Sequence, residues 1–218
     1  MRSIASQFRK VTPVLLITWL LTTLALLLAI FASTMKDIPL DTFTQDPNAQ
    51  LNAPFYLGFF SNVGIIIWSA AMTICFYCAF RLPENGDSRN REFLMVSGLI
   101  TLLMALDDLF QLHELVFPKY LNVSENMVYI TYLNIYLIYF IRFRRQLLNS
   151  DFIALGVSFF LLGLSTVIDL LPLPMPKDTF LEDAIKLLGA VTWMVYYVRT
   201  ATELSVFGSD KRERQQRF

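Results

Sequence analysis

The chain has 218 residues, of which 55% are hydrophobic, 14% aromatic and 17% charged, with 18 Lys and Arg balanced by 18 Asp and Glu. So apolar a composition excludes an ordinary soluble domain of this length and belongs to the membrane class. With zero net charge and no basic patch, nothing points to nucleic acid, and the lipid bilayer is the expected partner.

Residues 1–13 carry Arg2, Arg9 and Lys10 ahead of an apolar run at 14–32. At 19 residues the run exceeds the roughly 7–15 of a signal-peptide core, and no clear small-residue cleavage site follows it. It therefore reads as a retained first span. Residues 33–54 turn polar and proline-bearing and form the longest loop. A second span at 55–80 ends in a turn marked by Pro83, Asn85 and Gly86. It contains Cys75 and Cys78, which read as small buried hydrophobes, with metal binding or redox cycling as the alternative.

The third span, 92–115, is closed by Pro118, and the short loop after it carries Asn122-Val123-Ser124, a match to a glycosylation sequon. The fourth span, 127–141, stops at Arg142-Phe143-Arg144-Arg145. The fifth, 152–171, stops at Pro172, Pro174 and Pro176, because proline cannot continue a helix. The sixth runs over 179–202. Residues 1–208 then make one transmembrane domain and 209–218 a charged cytoplasmic tail.

Lys and Arg fall asymmetrically about these spans. Fourteen lie before the first span, in 81–91, in 142–145 and from Arg199 onward, whereas the opposite loops hold only Lys36, Lys119 and Lys177. The positive-inside rule then predicts an all-α, polytopic bundle of six spans with both termini cytoplasmic, in the plasma membrane of a bacterium.

The chemistry concentrates in Leu106-Asp107-Asp108-Leu109-Phe110-Gln111-Leu112-His113-Glu114, which sets three carboxylates and the only histidine at the end of an apolar helix. A charge in hydrocarbon costs roughly 3 kcal/mol, so such groups face a protein interior or a wet cavity. At 1.5 Å per residue, Asp107 and Asp108 lie roughly 23 Å along an outward-running span, in its outer third. The same depth receives Asp169 from the fifth span, with Ser165 a turn below it, and Glu182, Asp183 and Lys186 from the sixth. Asn62 lies near the outer start of the second.

On a continuous helix Asp107, Gln111 and Glu114 share a face, while His113 points about 140° away from Asp108. Lys186 sits one turn after Glu182 and Asp183 and can neutralise either. Tyr129, Tyr132, Tyr136 and Tyr139 make a tyrosine face on the fourth span, read as helix packing.

Crowded carboxylates with one histidine suit a proton or a hard divalent cation such as calcium or magnesium better than zinc. The leading expectation is proton or cation binding or transport through Asp107, Asp108, Glu114, Asp169, Glu182 and Asp183, supported by Asn62, Gln111, His113, Ser165 and Lys186. A non-catalytic scaffold or assembly protein is one alternative, and under any of these readings a homo-oligomer stays open. Another is a membrane-embedded, metal-dependent lipid hydrolase.

That last alternative rests on a resemblance. Ser61-Asn62, Asp107 to His113 and Ser165-x-x-x-Asp169 resemble the polar signature of the alkaline ceramidase and adiponectin-receptor superfamily. The resemblance implies seven spans and a zinc site of three histidines with a serine and an aspartate nearby. This chain has one histidine, and Trp193 and Tyr197 stand where a paired histidine motif would fall, so no catalytic role is carried over. Asp183-x-x-Lys186-x-x-Gly189 is similar to the retinal-lysine helix of microbial rhodopsins, but Lys186 falls near the start of its helix rather than deep within it.

Overall fold

The computed structural model describes residues 4–82, 88–170 and 178–215. The turn residues Pro83, Asn85 and Gly86 and the cluster Pro172, Pro174 and Pro176 lie outside the described residues. The protein is 88% helix, and no strand occurs among the described residues.

Two compact units divide the chain, residues 1–57 and 58–218. The first consists of a long helix, α1 (Ile4–Lys36), followed by a single turn at Leu40–Phe43 and a short helix at Pro47–Gln50. Asp37, in the left-handed region at φ 53°, ends α1. Asp46 starts the short helix by accepting from the backbone N–H groups of Asn48 and Ala49 at 2.8 and 3.3 Å, with Pro47 at the first helical position.

The second unit holds α2 (Phe59–Arg81), α3 (Ser88–Phe110), α4 (Glu125–Leu148), α5 (Phe152–Leu170) and α6 (Asp178–Gln215). Among the described residues, four helices are long and apolar enough to cross a membrane: Val11–Lys36, Phe59–Arg81, Ser88–Phe110 and Phe152–Asp169. Within the unit α2 packs on α3 and α6, and α6 packs on α5. Trp68, Cys75, Phe93, Trp193 and Tyr197 are fully buried where they meet. Cys75 and Cys78 carry free thiols in this core.

Small residues set the close approaches. A Cβ at Gly189 would come within 2.8 Å of the Leu162 side chain, and the hydroxyl of Ser158 donates to the Gly189 carbonyl at 2.8 Å, so α5 and α6 meet backbone to backbone. Ser97, Tyr139 and Tyr197 join their hydroxyls in a buried chain at 2.7 and 2.9 Å.

Charge separates to the two ends of the unit. At one end Arg142 pairs with Glu92 at 2.8 Å, Arg89 donates to the Arg142 carbonyl at 2.7 Å, and Arg199 pairs with Asp151. The carboxylates of the third, fifth and sixth helices gather at the other.

Helix ends differ from expectation in several places, the first helix running from Ile4 to Lys36 rather than over 14–32 and the second beginning at Phe59 rather than 55. The third helix stops at Phe110 rather than 115, because Gln111 turns left-handed at φ 50°. A π-helical turn, Leu112–Val116, and a short helix, Phe117–Leu121, follow. The fourth helix continues through its arginines to Leu148, kinked at Phe143 with φ −111° and ψ 20°. Arginine is a good helix former and favours a helix C-terminus, so a basic run marks a membrane surface without ending a helix. The sixth helix extends through the expected tail to Gln215.

Candidate functional site

Asp107, near the end of α3, would face away from His113 if the helix ran straight. The left-handed Gln111 reverses the chain instead and folds the next turn back on the helix end. Asp107 then accepts three hydrogen bonds: from the His113 backbone N–H at 3.0 Å, from its Nδ1 at 2.6 Å, and from the Tyr132 hydroxyl at 2.9 Å. The carboxylate is 5% exposed and the histidine 8%. A buried carboxylate held by that many donors is satisfied rather than stranded.

His113 is thereby oriented. With Nδ1 on Asp107, its Nε2 faces Glu114 Oε1 at 3.4 Å, and its ring lies 5.2 Å from that of Tyr129. Burial works against charge on His113, yet the hydrogen bonds and charges of Asp107 and Glu114 outweigh it and push the imidazole up to about 10. The same contact with His113 holds Glu114 below the usual carboxylate range.

Asp108 takes a separate partner set. The Trp68 indole N–H donates to it at 2.8 Å, and Lys186 Nζ lies 2.5 Å from its other oxygen. Trp68 also packs edge-on against Trp193, which donates to Thr101 Oγ1 at 3.0 Å. The two adjacent aspartates thus bind α3 to different neighbours, Asp107 to the π turn and α4, Asp108 to α2 and α6.

These groups line one cavity of about 420 Å³. Asp107, Asp108, His113, Glu114, Asp169, Glu182, Lys186 and Ser165 all border it, while Tyr136, Phe159 and Leu162 form its apolar inner part. Asp169 accepts from the Tyr129 hydroxyl at 3.0 Å. Asp183 stands apart, bordering a smaller pocket with Asp108 and Lys186. Asn62 and Gln111 are exposed and border neither pocket, Gln111 acting as the hinge of the chain reversal.

A residue that spacing alone did not single out joins His113 and Asp169 at the rim. Glu125, in the first turn of α4, brings a ligand atom within 4.8 Å of those of His113 and Asp169. Opposite ligands at calcium-like distances of roughly 2.3–2.6 Å lie about 5 Å apart, so the three can reach one ion. The Asp107–His113 contact is the outer-shell support that metal-binding histidines commonly carry. Glu125 was discoverable only as an acid in the first turn of the fourth helix, a position also explained by the helix dipole. Trp68 had no local signal at all.

Residues 14–200 match the model of a family described as a domain of unknown function, DUF8692. No curated protein and no solved structure matches the chain.

Proposed function

We propose that this chain, which belongs to the DUF8692 family, is an integral membrane protein whose outer pocket binds a cation. Six spans with both termini in the cytoplasm are part of the same proposal, which draws support from the lengths of α4 and α6: at 24 and 38 residues they too are long enough for a core of roughly 30 Å. Fourteen of 18 Lys and Arg then fall on the cytoplasmic side, which suits the plasma membrane of a bacterium.

The observation that carries the reading is the meeting of His113, Glu125 and Asp169 beside a histidine already held by Asp107. One nitrogen and two carboxylates can hold a divalent ion that displaces the Nε2 proton of His113, and Glu114 stands next to Nε2 as a further oxygen donor. Transport of a proton or cation through the site extends the same reading. The lipid hydrolase alternative draws on this donor set too, because three protein ligands leave a position for water.

Metal binding tests it. Protein purified in maltoside is stripped with EDTA and titrated with calcium, magnesium, manganese and zinc by calorimetry. We expect one divalent ion per chain, lost by at least ten-fold in affinity in His113→Gln and in Asp169→Asn. Wild type that binds no ion, or variants that bind equally well, would end the proposal.

A further inference from the structure

The cavity is far larger than an ion requires. A water molecule needs about 30 Å³, whereas this cavity holds about 420 Å³, within the range of sites for small organic molecules. Its inner part is aromatic and aliphatic, which no hydrated ion would need.

Two residues that border it, Leu133 and Gly163, are exposed on the surface of the unit. Between α4 and α5 the Tyr129–Asp169 hydrogen bond closes the outer end, and ring contacts of Phe159 with Tyr136 at 5.2 Å and Phe140 at 4.9 Å close the inner end. Between these two closures stand Leu133 on α4, 67% exposed, and Gly163 on α5, where an added Cβ would meet nothing within 4 Å. A gap framed in this way faces the surface that hydrocarbon covers in a membrane bundle.

The outer end specifies the head group. Lys186 is engaged by Asp108 and His113 by Asp107, which leaves Glu182, Asp169 and Glu114 in excess of the cations. Glu182 borders the cavity beside Asp169 and has no hydrogen-bond partner among the described residues. A group that donates hydrogen bonds and carries positive charge complements this pair of carboxyl groups best. Ser165 is a second, independent sign of a ligand. Ser165 borders the cavity and is only 3% exposed, and its hydroxyl finds no partner among the described residues. Ser97 and Thr166 each return a hydrogen bond to the carbonyl one turn before, and Ser165 does not.

We infer that the pocket takes a single-chain amine amphiphile, its ammonium group among Glu182, Asp169 and Ser165 and its hydrocarbon chain leaving between Leu133 and Gly163. The inference rests on the cation-binding reading of the same pocket and names the cation as an organic one. An anionic head group would place its charge against three carboxylates, and a neutral alcohol would leave them uncompensated.

The probe is dodecylamine, with dodecanol and dodecanoate as controls, added to the full chain in phosphatidylcholine nanodiscs and followed by thermal unfolding and native mass spectrometry. Saturable binding of dodecylamine at least ten-fold tighter than dodecanol, with none of dodecanoate, is the expected result. Glu182→Gln should weaken it ten-fold or more by removing charge, and Gly163→Phe by filling the gap. Leu133→Trp tests the opposite side of the gap should Gly163→Phe fail to fold. Equal uptake of amine and alcohol, preference for dodecanoate, or binding indifferent to both gap substitutions would overturn the inference. Divalent-ion binding without dodecylamine binding would overturn it while leaving the cation reading standing; loss of both removes that reading too.

Discussion

Asp107 and Asp108 are neighbours in sequence and behave as unlike groups. Asp107 is satisfied by three donors from the turn beyond it and from Tyr132, so its role is to hold His113 in place. Asp108 is held by one indole and one ammonium. Removing the ammonium leaves a buried carboxylate with a single neutral donor. Lys186→Met should therefore destabilise the protein by about 2 kcal/mol, less than the roughly 3–5 of a fully enclosed pair because Lys186 is a third exposed. The double variant Lys186→Met, Asp108→Leu should recover most of that loss, since an apolar pair of similar volume needs no compensation. Thermal unfolding in maltoside of both single variants and the double reads the coupling; strictly additive losses would show that the two groups do not act on each other.

At the scale of the element, the decisive feature is the break after Phe110. Gln111 occupies a left-handed conformation that costs a residue with a Cβ roughly 1–2 kcal/mol. That cost is offset by what the reversal creates: the two His113 hydrogen bonds to Asp107 and the packing of the imidazole against Tyr129. Glycine adopts the same φ without strain. Gln111→Gly should raise stability by up to about 1 kcal/mol with metal affinity unchanged, because Gln111 borders neither the cavity nor the smaller pocket beside it. Gln111→Val should lower it, since a β-branched residue tolerates a positive φ worst. A melting series over glycine, glutamine and valine in that order checks the argument, and a reversed order would mean that the turn is not strained at this residue.

On the scale of the whole molecule, the second unit has a basic end knitted by Arg142–Glu92 and Arg199–Asp151 and an acidic end that surrounds the cavity. Such polarity is what a bundle oriented by the positive-inside rule presents. The proposed topology is open to a direct test. A phosphatase active only outside the cytoplasm should be active when fused after Asn122 and inactive when fused after Asn149 or at the C-terminus, while a cytoplasmic fluorescent reporter should give the opposite pattern. Activity at Asn149 would remove the six-span arrangement.

Sequence by itself determined the all-helical, membrane-type character, the approximate position of each long helix and the delivery of Asp107, Asp108, Asp169, Glu182 and Lys186 to one level. These depend on the length of apolar runs, on proline and polar punctuation, and on the fixed rise of a helix, all of which are local properties. Tertiary structure alone decided the rest. Glutamine is a good helix former, so nothing local marks Gln111 as a break; the contacts that repay its conformation lie on residues before it in the chain and on another helix. Asn62 falls at a suitable level and faces outward, because depth does not set the rotation of a helix about its axis. Glu125 and Trp68 reach the site, and Asp183 is turned aside, for the same reason: which side of each helix meets its neighbour is settled by packing at places such as Gly189 against Leu162, between residues far apart in the chain.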